Sequence, residues 1–334
     1  MLDFRPELLP AWINVLVVLA AIVIVGKGAH WVVESAEGIA KRLGVTELVI
    51  GLTIVAMGTS APEFAVTLMA AVRGHGDISV GNIVGSNIFN LGFILGGCAL
   101  VRAIPTTADL VWRDGFVLAA STALLIPLIG LDLELSREDG MLLLVLLVFY
   151  LVYLMAKNLQ MDLATRESGG PVARSDEIEA PVDGRLRGTV ARLALGLVFT
   201  IGGCHVLIDA AVALALALGV GEWAIGVTVV AAGTSAPEFV VSLVGVLTGR
   251  YAISLGSLIG SDIFNVLGVL GLAGLLRPVA IDPIARLSLL ALSAMVLLVL
   301  AMMRSGWRLS RWEGLILVAA AMVRWGFDLT AGTQ

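Results

Sequence analysis

Charge is scarce in this chain. Only 14% of its 334 residues are Asp, Glu, Lys or Arg, against 59% hydrophobic residues. The polar stretches between apolar runs are too short to build a soluble catalytic domain, so an enzyme is not expected. No Walker-type phosphate loop is present, which excludes direct use of ATP. No basic run points to nucleic acid, and the formal net charge of -5 is unremarkable. Cysteine is nearly absent: Cys98 and Cys204 both fall in apolar runs, where inert buried thiols are expected rather than a disulfide. The leader Met1 to Pro10 carries two acids and one base and offers no small-residue cleavage site, so the first apolar run does not read as a cleaved signal.

Long apolar runs dominate what is there. Crossing a hydrocarbon core of ~30 Å takes about 20 apolar residues as a helix. Ten runs qualify, at about 11–36, 45–73, 77–101, 112–131, 139–157, 190–218, 222–248, 252–276, 283–303 and 310–328. The expected class is an all-α protein of the lipid bilayer. The one long polar stretch, 158–188, is rich in Glu, Asp, Arg, Gly and Pro and reads as a linker between two five-span halves, 1–157 and 189–334.

The halves repeat one another. Residues 51–96 and 226–271 align at a constant offset of 175, pairing Gly58 with Gly233, Thr59 with Thr234, Pro62 with Pro237, Glu63 with Glu238, Ser86 with Ser261 and Asn90 with Asn265. An odd number of spans per half forces the second copy to enter the membrane from the opposite side, giving inverted repeats. With the linker placed in the cytoplasm, fourteen Lys and Arg fall in cytoplasmic segments and six in outer ones, which satisfies the positive-inside bias and puts both termini outside.

A glutamate repeated at mid-span is costly in lipid and marks function. Pro62 and Pro237 each remove a backbone donor and disfavour helical geometry in the preceding residue. A helix break is therefore expected at Gly58 to Pro62 and at Gly233 to Pro237, leaving free carbonyls beside a glutamate. A second break is expected at Gly85-Ser86 and Gly260-Ser261. Asn90 and Asn265 follow their serines by four residues and share a helix face with them. The hydroxyls, amides, carbonyls and two carboxylates form an all-oxygen set. Such a set suits a hard cation, whereas soft metals want Cys or His, which are absent from the motif. Gly, Ser and Thr in spans also serve close helix packing, and that alternative stays open for each of them singly.

The duplicated G-T-S-x-P-E and G-S-[ND]-I-F-N patterns resemble the alpha repeats of the sodium/calcium exchanger family, of prokaryotic type, within the calcium/cation antiporter group. The resemblance implies ten transmembrane helices in two inverted five-helix repeats with broken helices at the ion site. It implies that Glu63 and Glu238 are the central ligands of both Ca²⁺ and Na⁺. Thr59 and Thr234 would add backbone oxygens, joined by Ser60, Ser235, Ser86 and Ser261. The carbonyls of Ala56 and Ala231 would ligate Na⁺, and Asn90 and Asn265 would line the middle of the site. In the family the first and sixth spans slide against the rest.

Two positions depart from the pattern. Some relatives, potassium-dependent exchangers among them, carry Asp where this chain has Asn265, so potassium co-transport is not implied. Asp262 replaces the Asn found at the matching position 87; packing or lining the access path is favoured for it over direct ligation. The repeat also pairs His30 with His205 and Glu34 with Asp209. A proton-sensitive gate and plain polar helix ends are both compatible with these pairs.

The expected function is antiport of Na⁺ against Ca²⁺ by alternating access. Transported Ca²⁺ and Na⁺ are its substrates and the bilayer its surroundings; no cofactor, nucleic acid or obligate protein partner is implied. The expected location is the prokaryotic inner membrane. Proton/calcium exchange is the nearest alternative, since the same glutamates could carry protons. A cation channel is less compatible, because one chain supplies both halves of the site.

Overall fold

The computed structural model describes residues 10–167, 182–217, 233–281, 283 and 285–331. It is helical apart from four two-residue strands. The first half holds α1 (Ala11–Leu43), α2 (Glu47–Thr59), α3 (Ala61–Arg73), α4 (Gly76–Val101), α5 (Leu110–Ile129) and α6 (Arg137–Glu167). The second holds α7 (Val182–Ala217), α8 (Ala236–Leu247), α9 (Tyr251–Leu276), α10 (Ala285–Arg304) and α11 (Arg311–Ala331).

Local chemistry sets the helix ends. Gly44, in left-handed geometry at φ 66°, closes α1, returning its N–H to the Ala40 carbonyl behind Lys41 and Arg42. The Thr46 hydroxyl accepts the Val49 N–H and starts α2. Helix α6 opens on a reciprocal pair in which Ser136 N–H donates to Asp139 and Asp139 N–H to the serine hydroxyl; Ser310 and Glu313 do the same before α11.

Among the described residues, seven helices are long and apolar enough to cross a membrane, or eight when α2 and α3, bent by 52° at Ser60, count as one span. Ten is thus not reached. The expected span 222–248 falls largely outside the described residues, with α8 as its described end, and the expected span 310–328 coincides with the 21-residue α11, which is not among the seven.

The loops gather into two groups. At one, strand β1 (Ile104–Pro105) pairs antiparallel with β4 (Arg308–Leu309). Here too Arg250 bridges Glu37 and Glu47, and Lys157 bridges Asp109 at 2.9 Å. At the other, β2 (Glu134–Leu135) pairs with β3 (Val279–Ala280), and Arg277 donates to the Val72 carbonyl. β1 and β3 are themselves related by the 175-residue offset. Each half thus lends one strand to each group.

One apolar core runs through both halves and buries Leu91, Ile94, Leu125, Leu267 and Leu292; a smaller one forms on α1 against Leu193 and Val241. Helices α1 and α7 approach closely through glycine: a Cβ on Gly28 would stand 2.9 Å from the Gly196 carbonyl oxygen, and one on Gly196 the same distance from that of Gly28. Trp31 stacks on Phe199 across this contact. Cys98 and Cys204 are free and buried, as their surroundings implied.

Candidate ion site

The two proline breaks build the site. Helix α2 ends at Thr59, Ser60 sits at φ -75°, ψ 8°, and α3 restarts with Pro62 and Glu63 in its first turn. Proline is tolerated there because first-turn N–H groups have no intrahelical partner, and the helix N-terminus favours an acid. Ser235, at φ -88°, ψ 8°, precedes α8 in the same way, with Pro237 and Glu238 in its first turn. The break expected from Pro62 is therefore present, and α8 restarts as α3 does.

The second expected break is absent. Helix α4 runs unbroken through Gly85-Ser86 and α9 through Gly260-Ser261. Each instead widens into a π-helical stretch just afterwards, over Asn90–Ile94 and Phe264–Leu270. Gly260 is small for another reason: a Cβ there would lie 2.6 Å from the Leu52 Cα and carbonyl oxygen, so α9 presses directly on the α2 backbone. π-turns re-aim side chains and recur at functional sites.

The glutamates meet the opposite half. Ser235 Oγ donates to Glu63 Oε1 at 2.8 Å, and Ser60 Oγ donates to Glu238 Oε1 at 3.1 Å. These two bonds are each other's image under the 175-residue offset. Ser261 Oγ lies 3.5 Å from Glu238 Oε1, 3.3 Å from the Ala56 carbonyl and 3.4 Å from Thr59 Oγ1. Thr59 Oγ1 also donates to the carbonyls of Val55 and Ala56 at 3.2 Å.

Beside the glutamates lies a band of amides. Asn90 Nδ2 donates to Asp262 Oδ1 at 2.9 Å, and Asn265 Nδ2 donates to Asn87 Oδ1 at 3.1 Å, again an offset-related pair. Asn87 Nδ2 donates to the Asp262 backbone carbonyl at 3.1 Å. Asn87 was not singled out in the sequence as a site residue. Its alignment with Asp262 was the available signal, because offset partners in the repeat meet here.

Both glutamates, Thr59, Ser60, Ser235, Ser261, Asn90, Asn265 and Asp262 are fully buried. Ser86 is buried on α4, but among the described residues no hydrogen bond joins it to Glu63 as Ser261 joins Glu238. Thr234 is half-buried beside Ser235, and Ala231 lies outside the described residues. Of the His/acid pairs, Glu34 contacts His30 at 3.1 Å and Arg192 on α7, whereas no such contact joins His205 and Asp209 among the described residues, although Glu34, His205 and Asp209 are all exposed. The two copies are thus unlike.

Several buried oxygens have nothing to accept from. Glu63 Oε2, Glu238 Oε2, Asn90 Oδ1, Asn265 Oδ1 and Asp262 Oδ2 lack hydrogen-bond partners among the described residues. No Lys or Arg pairs with either glutamate among those residues. Buried carboxylates without a basic partner demand another source of positive charge. No three His, Cys, Asp or Glu side chains among the described residues converge to hold a metal by themselves. A cation here would therefore draw on hydroxyl, amide and carbonyl oxygens besides the carboxylates, which is the chemistry of hard ions.

The family model for the sodium/calcium exchanger protein matches residues 13–156 and again 189–323. The chain belongs to the sodium/calcium exchanger family. This exchanger is 34% identical to the sodium/calcium exchanger MaX1 of Methanosarcina acetivorans, over 92% of this chain and 95% of that one. It is 36% identical to the putative antiporter CaxA of Alkalimonas amylolytica, over 91% and 94% of the two chains. Its fold is similar to that of the sodium-calcium exchanger NCX_Mj soaked with zero Na⁺ and Ca²⁺, at a TM-score of 0.78 and 28% identity, covering 94% of this chain and 98% of the other. It is an integral membrane protein of an antiporter family, and its relatives are transporters rather than enzymes.

Proposed function

We propose that this protein exchanges Na⁺ for Ca²⁺ across the membrane by alternating access at the site centred on Glu63 and Glu238. The observation that carries the proposal is the reciprocal pair of bonds from Ser235 to Glu63 and from Ser60 to Glu238, which tie one carboxylate from each half into one buried, cation-deficient site. Two carboxylates balance one Ca²⁺ or the field of several Na⁺, and they are not satisfied by both ions at once. That competition is the coupling. Thr59, Thr234, Ser60, Ser235, Ser86, Ser261 and the carbonyls of Ala56 and Ala231 would complete the ligand set, with Asn90 and Asn265 between the half-sites. The close α1–α7 contact through Gly28 and Gly196 supports these two helices as the pair that moves.

The same reading takes the chain as ten helices in two inverted repeats, 1–157 and 189–334, joined by a cytoplasmic linker 158–188, in a prokaryotic inner membrane with both termini outside. The two loop groups, each with one strand from either half, support it. The group around β1 and β4 carries Arg102, Arg250, Arg304 and Arg308 and would face the cytoplasm. Single cysteines at Thr107 and Ser175, in a background lacking Cys98 and Cys204, should react with impermeant maleimide only from the cytoplasmic side, and one at Thr333 only from outside. Labelling of Ser175 from outside would invert the arrangement.

Countertransport tests the function. Vesicles preloaded with unlabelled Ca²⁺ should accumulate ⁴⁵Ca²⁺ transiently above equilibrium, with a rate that saturates; linear flux without trans-stimulation would mean a channel. In the same assay Ser60→Ala and Ser235→Ala each remove one hydroxyl donor from a charged oxygen, an interaction worth about 1.5–3 kcal/mol. Each should raise the Ca²⁺ concentration for half-maximal exchange by roughly 10- to 100-fold. Unequal effects, with one variant at wild-type affinity, would show that the two contacts are not equivalent.

A further inference from the structure

The two halves differ at one buried position of the site. Asn87 and Asp262 are partners under the repeat, and each receives an amide from the opposite half: Asn265 Nδ2 reaches Asn87 Oδ1, and Asn90 Nδ2 reaches Asp262 Oδ1. Asn87 then uses its second side-chain atom, Nδ2, as a donor to the Asp262 backbone carbonyl at 3.1 Å. The corresponding atom of Asp262 is an oxygen, Oδ2. It is fully buried and accepts from nothing among the described residues. At the position where Asn87 carries a donor, its repeat partner carries an unpartnered acceptor.

Asp262 also has no basic neighbour among the described residues, and the one side-chain hydrogen bond that reaches its carboxylate comes from a neutral amide. Neutral amides solvate an anion but do not cancel its charge. The amide oxygen of Asn90, the residue that grips Asp262, is likewise without a partner. A carboxylate oxygen and an amide oxygen with one negative charge between them suit a single monovalent hard cation better than a divalent one.

We infer that Asp262 is the charged ligand of a second, off-centre cation site that takes one Na⁺ beside the paired glutamates, with the amide oxygen of Asn90 as a neutral ligand. The inference rests on the Na⁺/Ca²⁺ antiport reading for the neighbouring site. It has a consequence of its own. Glu63 and Glu238 balance Ca²⁺ between them, so the charge of Asp262 remains to be met when Ca²⁺ is bound, and its Na⁺ stays. This Na⁺ is held apart from the ions that Ca²⁺ displaces.

Equilibrium binding of ²²Na⁺ to the purified protein tests this. Wild type at saturating Ca²⁺ should retain one Na⁺ per chain, and Asp262→Asn should retain none. Without Ca²⁺, Asp262→Asn should bind one Na⁺ fewer than wild type. The variant restores the amide that Asn87 carries, so it should stay monodisperse. Complete displacement of ²²Na⁺ from wild type by Ca²⁺, or an unchanged Na⁺ count in Asp262→Asn, overturns the assignment. Na⁺-driven ⁴⁵Ca²⁺ uptake, measured in parallel, separates the two layers. Uptake that persists alongside either of those results removes the Asp262 site alone. A wild type that neither binds Na⁺ nor takes up Ca²⁺ on a Na⁺ gradient removes both.

Discussion

Glu63→Gln and Glu238→Gln should each lower Ca²⁺ exchange by roughly a thousandfold while leaving the protein folded. Two unit charges about 4 Å apart interact by ~4 kcal/mol at an effective dielectric of about 20, and each factor of ten takes about 1.4 kcal/mol. The substituted amide keeps the size of the side chain and can still accept from Ser235 or Ser60 through its oxygen, so the hydrogen bonds at Oε1 survive. What disappears is the charge on a group that is fully buried and has no basic partner among the described residues. The folded state should tolerate the change, because neutralising an uncompensated buried carboxylate removes a desolvation cost. The check is ⁴⁵Ca²⁺ exchange against a melting curve of the same preparation. Exchange within tenfold of wild type in either variant would remove that glutamate from the site.

Gly260→Ala should damage exchange by a different route, and less severely. The new methyl group would lie 2.6 Å from the Leu52 Cα and carbonyl oxygen, and a backbone cannot step aside as a side-chain tip can. Overpacking typically costs about 1–3 kcal/mol. Helix α2 would have to move, and α2 ends in Ala56 and Thr59, which Ser261 holds at 3.3 and 3.4 Å. The expected outcome is a lower melting temperature together with at least about a tenfold loss of exchange, the equivalent of some 1.4 kcal/mol. Gly85→Ala is the control: a Cβ at Gly85 meets nothing within 4 Å and should change neither quantity. Equal damage at both positions would mean that glycine is needed in these helices for conformation rather than for close approach.

The contrast between Gly85 and Gly260 also shows where sequence inference stopped. The offset of 175 residues made Glu63 and Glu238 legible as a pair, because a carboxylate duplicated in apolar sequence has few purely structural explanations. Proline made the first break legible, since the loss of a backbone donor is a local effect. Glycine carried no such local signal. Its role at Gly260 depends on what lies opposite, which the linear chain does not state. The π-helical turns after Phe89 and Ile263 were illegible for the same reason, since no residue type demands one.

Asn87 illustrates a subtler miss. Its side chain was visible as the Asn aligned with Asp262, but its bond to the Asp262 carbonyl exists only because the repeat brings offset partners together at the centre. The amphipathic and apolar pattern could place both residues in spans without placing them in contact. The His30/Glu34 and His205/Asp209 pairs mark the opposite error. Spacing made them look equivalent, whereas Glu34 finds Arg192 on α7 and Asp209 finds no such partner among the described residues. Shared spacing fixes a shared helix face, not a shared neighbour.

The most direct test of the central claim is ⁴⁵Ca²⁺ uptake into proteoliposomes containing the purified protein, with a Na⁺ gradient and a pH gradient imposed separately and the membrane potential clamped. An outward Na⁺ gradient at symmetrical pH should drive Ca²⁺ accumulation, and a pH gradient in Na⁺-free medium should not. Accumulation that follows the pH gradient and ignores Na⁺ would contradict the account and assign the Glu63–Glu238 site to proton/calcium exchange.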